Sequence, residues 1–204
     1  MSTATSYSPT TDEIKKLREE TTAPMMDCRK VLIEAAGDFE KAKTLLRERG
    51  AAKAADKEER KAEQGLVASY IHAGGKIGVL VEVNSETDFV ARNPQFGELA
   101  RDIAMHVAAM SPEYLDRASV PAEVVAAATE ELRATVPPGK PPEVAAKIVE
   151  GKLNKWYEER VLLDQPFVKD DAMSVADLVN RAVGTLGEKI VVRRFAKFTL
   201  GDKQ

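Results

Sequence analysis

Leu66-Val67-Ala68-Ser69-Tyr70-Ile71-His72-Ala73-Gly74-Gly75-Lys76-Ile77-Gly78-Val79-Leu80-Val81-Glu82-Val83-Asn84 is the stretch on which the fold turns. It holds two β-type runs, Leu66 to His72 and Ile77 to Asn84, joined by Ala73-Gly74-Gly75-Lys76. The glycines supply the positive φ that a tight hairpin demands. Val79, Val81 and Val83 share one face and alternate with Leu80, Glu82 and Asn84, as in a strand with one side on a core. Downstream, Pro94 opens an amphipathic helix: Phe96, Leu99, Ala100, Ile103, Ala104, Val107 and Ala108 recur at i, i+3, i+4, i+7 spacing. A third strand, Lys189 to Thr199, alternates Ile190, Val192, Ala196 and Phe198. Pairing the hairpin with a strand at the far end of the chain makes residues 65–200 one domain.

Upstream the pattern is helical. Residues 1–10 read as a flexible, disordered start. Thr10 and Glu13 form a capping box for a helix with Ile14 and Leu17 inward. Thr21-Thr22-Ala23 breaks it, and Pro24 suits the opening of a second helix bearing Met25, Cys28, Val31, Leu32 and Ala35. Gly37 ends that helix, and Asp38 caps a third with Phe39, Ala42, Leu45 and Leu46 as its stripe and Gly50 as its stop. Residues 1–50 are therefore predicted as a three-helix module. Residues 51–64 carry four positive and four negative charges without a sustained apolar face and are predicted as a solvated connecting helix. Beyond the Pro94 helix, one helix is expected after Pro121. A second from about Pro141 would bury Val144, Ile148, Val149, Leu153 and Trp156. Gln165-Pro166-Phe167 reads as a loop, followed by a short helix capped at Ser174 to Asp177 and ending at Gly184. The fold class is α+β: an N-terminal helical bundle, then a small antiparallel sheet packed with helices.

The 204 residues include 44% apolar and only 5% aromatic side chains, enough for a core but a poor composition for a β-sandwich. Thirty basic and 33 acidic residues give a net charge of -3, without the basic stripe of a nucleic-acid binder. A single cysteine, Cys28, leaves no intrachain disulfide and fits a reducing compartment. No apolar run approaches the roughly 18 residues of a membrane span, and the N-terminus lacks a signal-peptide pattern. A cytoplasmic protein with no membrane association is expected.

Chemistry-bearing patterns are sparse. Gly75-Lys76 suggests a phosphate loop, but Tyr70 stands where the loop needs glycine and Ile77 where it needs Ser or Thr. His72, His106 and Cys28 cannot assemble a zinc site of ordinary spacing. His106 falls on the buried side of its helix, whereas His72, at a strand tip, is the better contact candidate. Neither a catalytic acid–base pair nor a cofactor or metal site is predicted. What remains is Glu86-Thr87-Asp88-Phe89-Val90, between the hairpin and the Pro94 helix. A bulky aromatic at such a connection either folds back into the core or is held out to meet a partner.

Val83-Asn84-Ser85-Glu86-Thr87-Asp88-Phe89-Val90-Ala91 closely resembles the core signature of the bacterial elongation factor Ts family. Leu17-Arg18-Glu19-Glu20-Thr21 with Met25-Met26-Asp27-Cys28-Arg29-Lys30 resembles that family's N-terminal signature. Three further segments, Ile103 to Ala109, Gly139-Lys140-Pro141 and Gln165-Pro166-Phe167-Val168, are similar and stand in the same order. The likeness runs from about residue 12 to residue 200.

The resemblance implies a non-enzymatic guanine nucleotide exchange factor for elongation factor Tu, met both GDP-bound and nucleotide-free. It implies that the N-terminal module is similar to ubiquitin-associated domains and docks through Arg18, Met25 and Met26. Thr87, Asp88, Phe89 and Val90 would enter the partner near its magnesium site, with Phe89 as a wedge, and Val168 would reach another partner domain. The family usually has glycine where Thr22 and Pro24 stand here. Longer members carry two core modules, the Phe turn coming from one and a hairpin histidine like His72 from the other. A homodimer of this single-module chain would supply both. The alternative is a helical adaptor acting only through its N-terminal bundle.

Overall fold

The structure, a computed structural model, describes residues 7–202. The chain forms two compact units. The first takes the described residues through Leu66, Val83–Leu99 and Asp177–Val191; the second takes Val67–Glu82, Ala100–Ala176 and the chain from Val192 onward. The fold is α+β, with a small antiparallel sheet among helices, as the sequence predicts.

In the first unit, α1 (Thr11–Thr21), α2 (Met25–Glu34) and α3 (Phe39–Ala55) bury Leu17, Cys28, Val31, Leu32 and Ala42 in one apolar cluster. The Thr10–Glu13 capping box is present in both directions and sets the start of α1. Of the tail expected over residues 1–10, residues 1–6 lie outside the described residues. From Tyr7 onward the chain is held: the Tyr7 ring packs on the apolar cluster and its hydroxyl donates to Glu13 at 2.7 Å. Thr22 closes α1 in the left-handed region, with φ 57, a conformation that favours glycine.

Helix α3 does not stop at Gly50 but runs on to Ala55, and residues 56–63 are turns and irregular chain, not a connecting helix. The reason is tertiary. Gly50 is buried, and a Cβ there would lie 3.2 Å from the Asn180 carbonyl oxygen of the later helix α8 (Val175–Leu186). Gly50 is thus kept small for a close helix approach, not used as a terminator. A Cβ on Gly184 of α8 would likewise meet the Gly50 Cα at 3.7 Å. Helix α8 continues two residues past Gly184, the expected stop, to Leu186.

The sheet has the order β1-β2-β5, with β1 Gln64–Ile71, β2 Ile77–Ser85 and β5 Ile190–Thr199. Gly74 and Gly75 take φ of 89 and 67 in the connecting turn, as predicted. Val79, Val81 and Val83 form the buried face of β2. Ile190 and Val192 are buried, but the alternation of β5 changes phase at the two exposed arginines Arg193 and Arg194. An extra residue in a strand produces such a shift. Beyond it Ala196 and Phe198 are exposed, contrary to the single face expected from their spacing.

The register follows from the His72 amide donating to the Ile77 carbonyl and the Leu200 amide to the Lys76 carbonyl. The Arg194–Glu82 ion pair at 2.7 Å and the contact of Ile71 with Gly78 agree with it. In the second unit this register puts Val67 and Ile71, Leu80, and Phe198 on one face, and all four side chains are exposed. An apolar sheet face is left open.

Between β2 and the long helix lies a single turn, α4 (Asp88–Ala91), followed by α5 (Pro94–Met110) with Phe96, Ile103, Ala104 and Val107 fully buried. Helices α6 (Ala122–Ala134) and α7 (Pro142–Arg160) pair as a hairpin and bury Tyr157 with Val120 and Val161. Val144, expected inward, is exposed, while Tyr157 takes a buried place that the apolar spacing did not assign. The expected loop at 165–167 contains β3 (Pro166–Phe167), which pairs antiparallel with β4 (Asp170–Ser174). Two residues are too few for alternation to reveal a strand.

Candidate functional site

The Thr87–Val90 turn is built by the end of β2 and the sequence that follows it. Thr87 stays extended, with φ -124 and ψ 156, and its hydroxyl accepts the Val90 amide at 3.3 Å. Ser85, buried, donates its hydroxyl to the Thr87 carbonyl at 2.9 Å. Asp88 pairs with Arg92 at 3.0 Å on the solvent side. Val90 is 7% exposed and Phe89 is 83% exposed. The sequence left two orientations open for this aromatic; Val90 takes the inward place and Phe89 stands in solvent.

Carboxylates fix the base of the turn. Glu188, after α8, receives the Thr87 amide at 3.0 Å on one oxygen and the Thr87 hydroxyl at 2.7 Å on the other. Glu86 receives the Lys189 amide at 2.6 Å and faces Arg60 at 3.4 Å. The Lys189 amide, and then the Arg60 charge against some desolvation, holds the Glu86 carboxyl below its usual range. Asn84 donates its side-chain amide to the Ala62 carbonyl at 3.2 Å, tying the irregular segment to the same corner. Sequence reasoning missed Glu188. Its partner is 101 positions away, and no local pattern marks it.

Arg18, Met25 and Met26 belong to the same unit as the turn. Arg18 is exposed on α1, and Met25 and Met26 are 36% and 57% exposed at the start of α2. Cys28, one turn further, is fully buried and donates to the Ala23 carbonyl; burial pushes its thiol up, away from nucleophilic use.

His72 and Val168 lie in the other unit. His72 is exposed just after β1, its Nδ1 3.2 Å from the Tyr70 hydroxyl. Val168, 44% exposed, sits between β3 and β4, and its amide donates to Nδ1 of the buried His106 at 3.2 Å. With Nδ1 accepting, the proton of the neutral ring is on Nε2, which donates to the side-chain oxygen Oε1 of Gln165 at 3.0 Å. Gln165 in turn donates to the Glu159 carbonyl at 3.0 Å. Burial keeps His106 below its ordinary pKa, with the Gln165 bond partly opposing.

Among the described residues no cluster of His, Cys, Asp or Glu is arranged to hold a metal ion, and no helix is long and apolar enough to cross a membrane. What the first unit presents to solvent is an exposed aromatic on a braced turn and a pair of methionines on a helix start.

Residues 52–201 match the family model described as elongation factor TS. The chain is 55% identical over 190 residues to elongation factor Ts of an Anaeromyxobacter species, covering 93% of this chain and 87% of that one. It is 53% identical over 191 residues to elongation factor Ts of Koribacter versatilis, covering 93% and 87%. With elongation factor Ts of Moorella thermoacetica the identity is 52% over 191 residues, covering 93% and 94%. With the family model spanning the sheet, the Thr87–Val90 turn and the helices around them, the chain belongs to the elongation factor Ts family.

Proposed function

We propose that this translation elongation factor is the guanine nucleotide exchange factor of elongation factor Tu, binding the GDP-bound form and promoting GDP release so that GTP can enter. The observation that carries the reading is Phe89, 83% exposed on a turn whose backbone is fixed by side chains on both flanks. In a GTPase the magnesium ion bridges phosphate oxygens and protein ligands, so cation and nucleotide hold each other. A ring driven in beside the metal site spends its binding energy on the state that lacks magnesium. Reciprocity then makes nucleotide and factor weaken each other by the same ratio. No covalent bond changes, so the factor is not an enzyme in the ordinary sense.

Thr87, Asp88 and Val90 shape the turn, Arg18, Met25 and Met26 dock the N-terminal module, and Val168 reaches a further part of the partner. The open apolar face of Val67, Ile71, Leu80 and Phe198 supports a homodimer, through which His72 of a second copy would meet the same partner molecule. The work is done in the cytoplasm, without direct contact to nucleic acid or membrane. An adaptor acting through the bundle alone leaves the exposed ring without a purpose.

Stopped-flow release of fluorescent GDP from elongation factor Tu tests the proposal. Release should accelerate with added protein and saturate; equal affinity of the protein for empty and GDP-filled partner would remove the driving force and refute it.

A further inference from the structure

We infer that Glu188 is a positioning residue for the Phe89 turn, the distant half of a reciprocal clasp that sets where the ring points. The inference rests on the exchange reading above and deepens it. Glu86 takes the backbone amide next to Glu188, and Glu188 takes the backbone amide next to Glu86, at 2.6 Å and 3.0 Å respectively. The end of β2 and the start of β5 are thus locked by two crossed carboxylate–amide bonds, beyond the strand ladder itself. Charge-assisted bonds of this kind are stronger than neutral ones.

Glu188 does more than Glu86, because it also binds the Thr87 hydroxyl at 2.7 Å. That bond commits the hydroxyl proton to Glu188 and leaves an oxygen lone pair facing the Val90 amide at 3.3 Å. The rotamer of Thr87, and with it the cap of α4, is therefore chosen by a side chain from another part of the sequence. Four residues of helix have no stability of their own. With Glu188 gone the Thr87 rotor is free, the cap is optional, and Phe89 loses its fixed direction while Val90 still anchors the chain.

The test uses the full chain, elongation factor Tu loaded with fluorescent GDP, and a range of factor concentrations, so that maximal release rate and half-saturating concentration are read separately. Glu188→Ala should lower the maximal rate about tenfold, equivalent to roughly 1.4 kcal/mol, with the half-saturating concentration within about twofold of the starting protein. Glu188→Gln keeps both contacts, its amide oxygen accepting the Thr87 N–H and its NH2 donating to the Thr87 hydroxyl oxygen, and should recover most of the rate. Adding Thr87→Val to Glu188→Ala should cost little more, since the two act as one unit. Hydrogen exchange at the Thr87 and Val90 amides of the free variant should be several-fold faster.

An unchanged maximal rate overturns the inference. So does a loss seen only as a raised half-saturating concentration, which marks a smaller folded fraction and not a misdirected ring. If the starting protein itself fails to speed GDP release, the exchange reading falls, and the clasp is judged on the amides: unaltered exchange refutes it, faster exchange upholds it.

Discussion

Replacing Phe89 by alanine separates the two lives of this side chain. In the free protein the ring is 83% exposed, so its removal takes away little buried surface. The melting temperature should move by less than about 2 °C, the size of a few tenths of a kcal/mol in a chain of this length. In the complex the ring is proposed to be enclosed, and full burial of a Phe side chain is worth roughly 1.5 to 3 kcal/mol. Loss of that term from the magnesium-free complex corresponds to about 10- to 150-fold in stimulated GDP release. The neighbouring position gives the inverse pattern. Val90 is 7% exposed, and Val90→Ala should cost roughly 2 kcal/mol of stability, or about 4–8 °C. Circular dichroism melts and stopped-flow release, run on both variants, complete the comparison. Release by Phe89→Ala equal to the parent at saturating concentrations would refute the wedge. A melting drop as large as that of Val90→Ala would refute the geometry on which the wedge is built.

His106 predicts a pH effect of definite sign. Its folded pKa is lowered, chiefly by burial, so its contribution is fully present above the unfolded value of about 6.5 and is lost as pH falls below it. Urea midpoints should therefore decrease between pH 7.5 and 5.5, and by less in His106→Gln; equal decreases would exclude the ring as the source. At Gly65, φ is 149 and a Cβ would collide with the Val83 carbonyl, so Gly65→Ala should destabilise by more than roughly 2 kcal/mol, read as a lower urea midpoint. For the open sheet face, Leu80→Lys or Phe198→Asp should convert the proposed dimer to a monomer in light scattering while the melt stays cooperative. Retention of the parental mass would direct attention to another surface.

The hairpin and α5 were legible because each states its geometry locally, through paired glycines and alternation in one case and a single apolar stripe in the other. Where the sequence misled, a distant contact had decided the matter. Gly50 carries the signature of a helix stop, yet its hydrogen is there to admit the Asn180 carbonyl, a fact held by another helix. The phase change at Arg193 and Arg194 cannot be seen in composition, since two exposed arginines fit either register. Thr87 to Val90 could be singled out, but not the direction of Phe89, which depends on which of two adjacent apolar residues the core admits. The clasp from Glu188 was beyond reach altogether, being one carboxylate among many until the strands bring it to Thr87.

The crossing of α3 with α8 has a consequence for how the proposed partner would be engaged. Where helices meet at glycines, their main chains come into direct contact and no layer of side chains remains to shear or repack. The described N-terminal module is therefore not joined through the irregular segment at 56–63 alone; its third helix is seated on the segment that leads straight to Glu188. A swinging tether would let the methionines dock and then leave the aromatic to search for its target at some effective concentration. A seated module would abolish that search: on the proposed reading, capture at Met25 and Met26 and delivery of Phe89 would become a single collision.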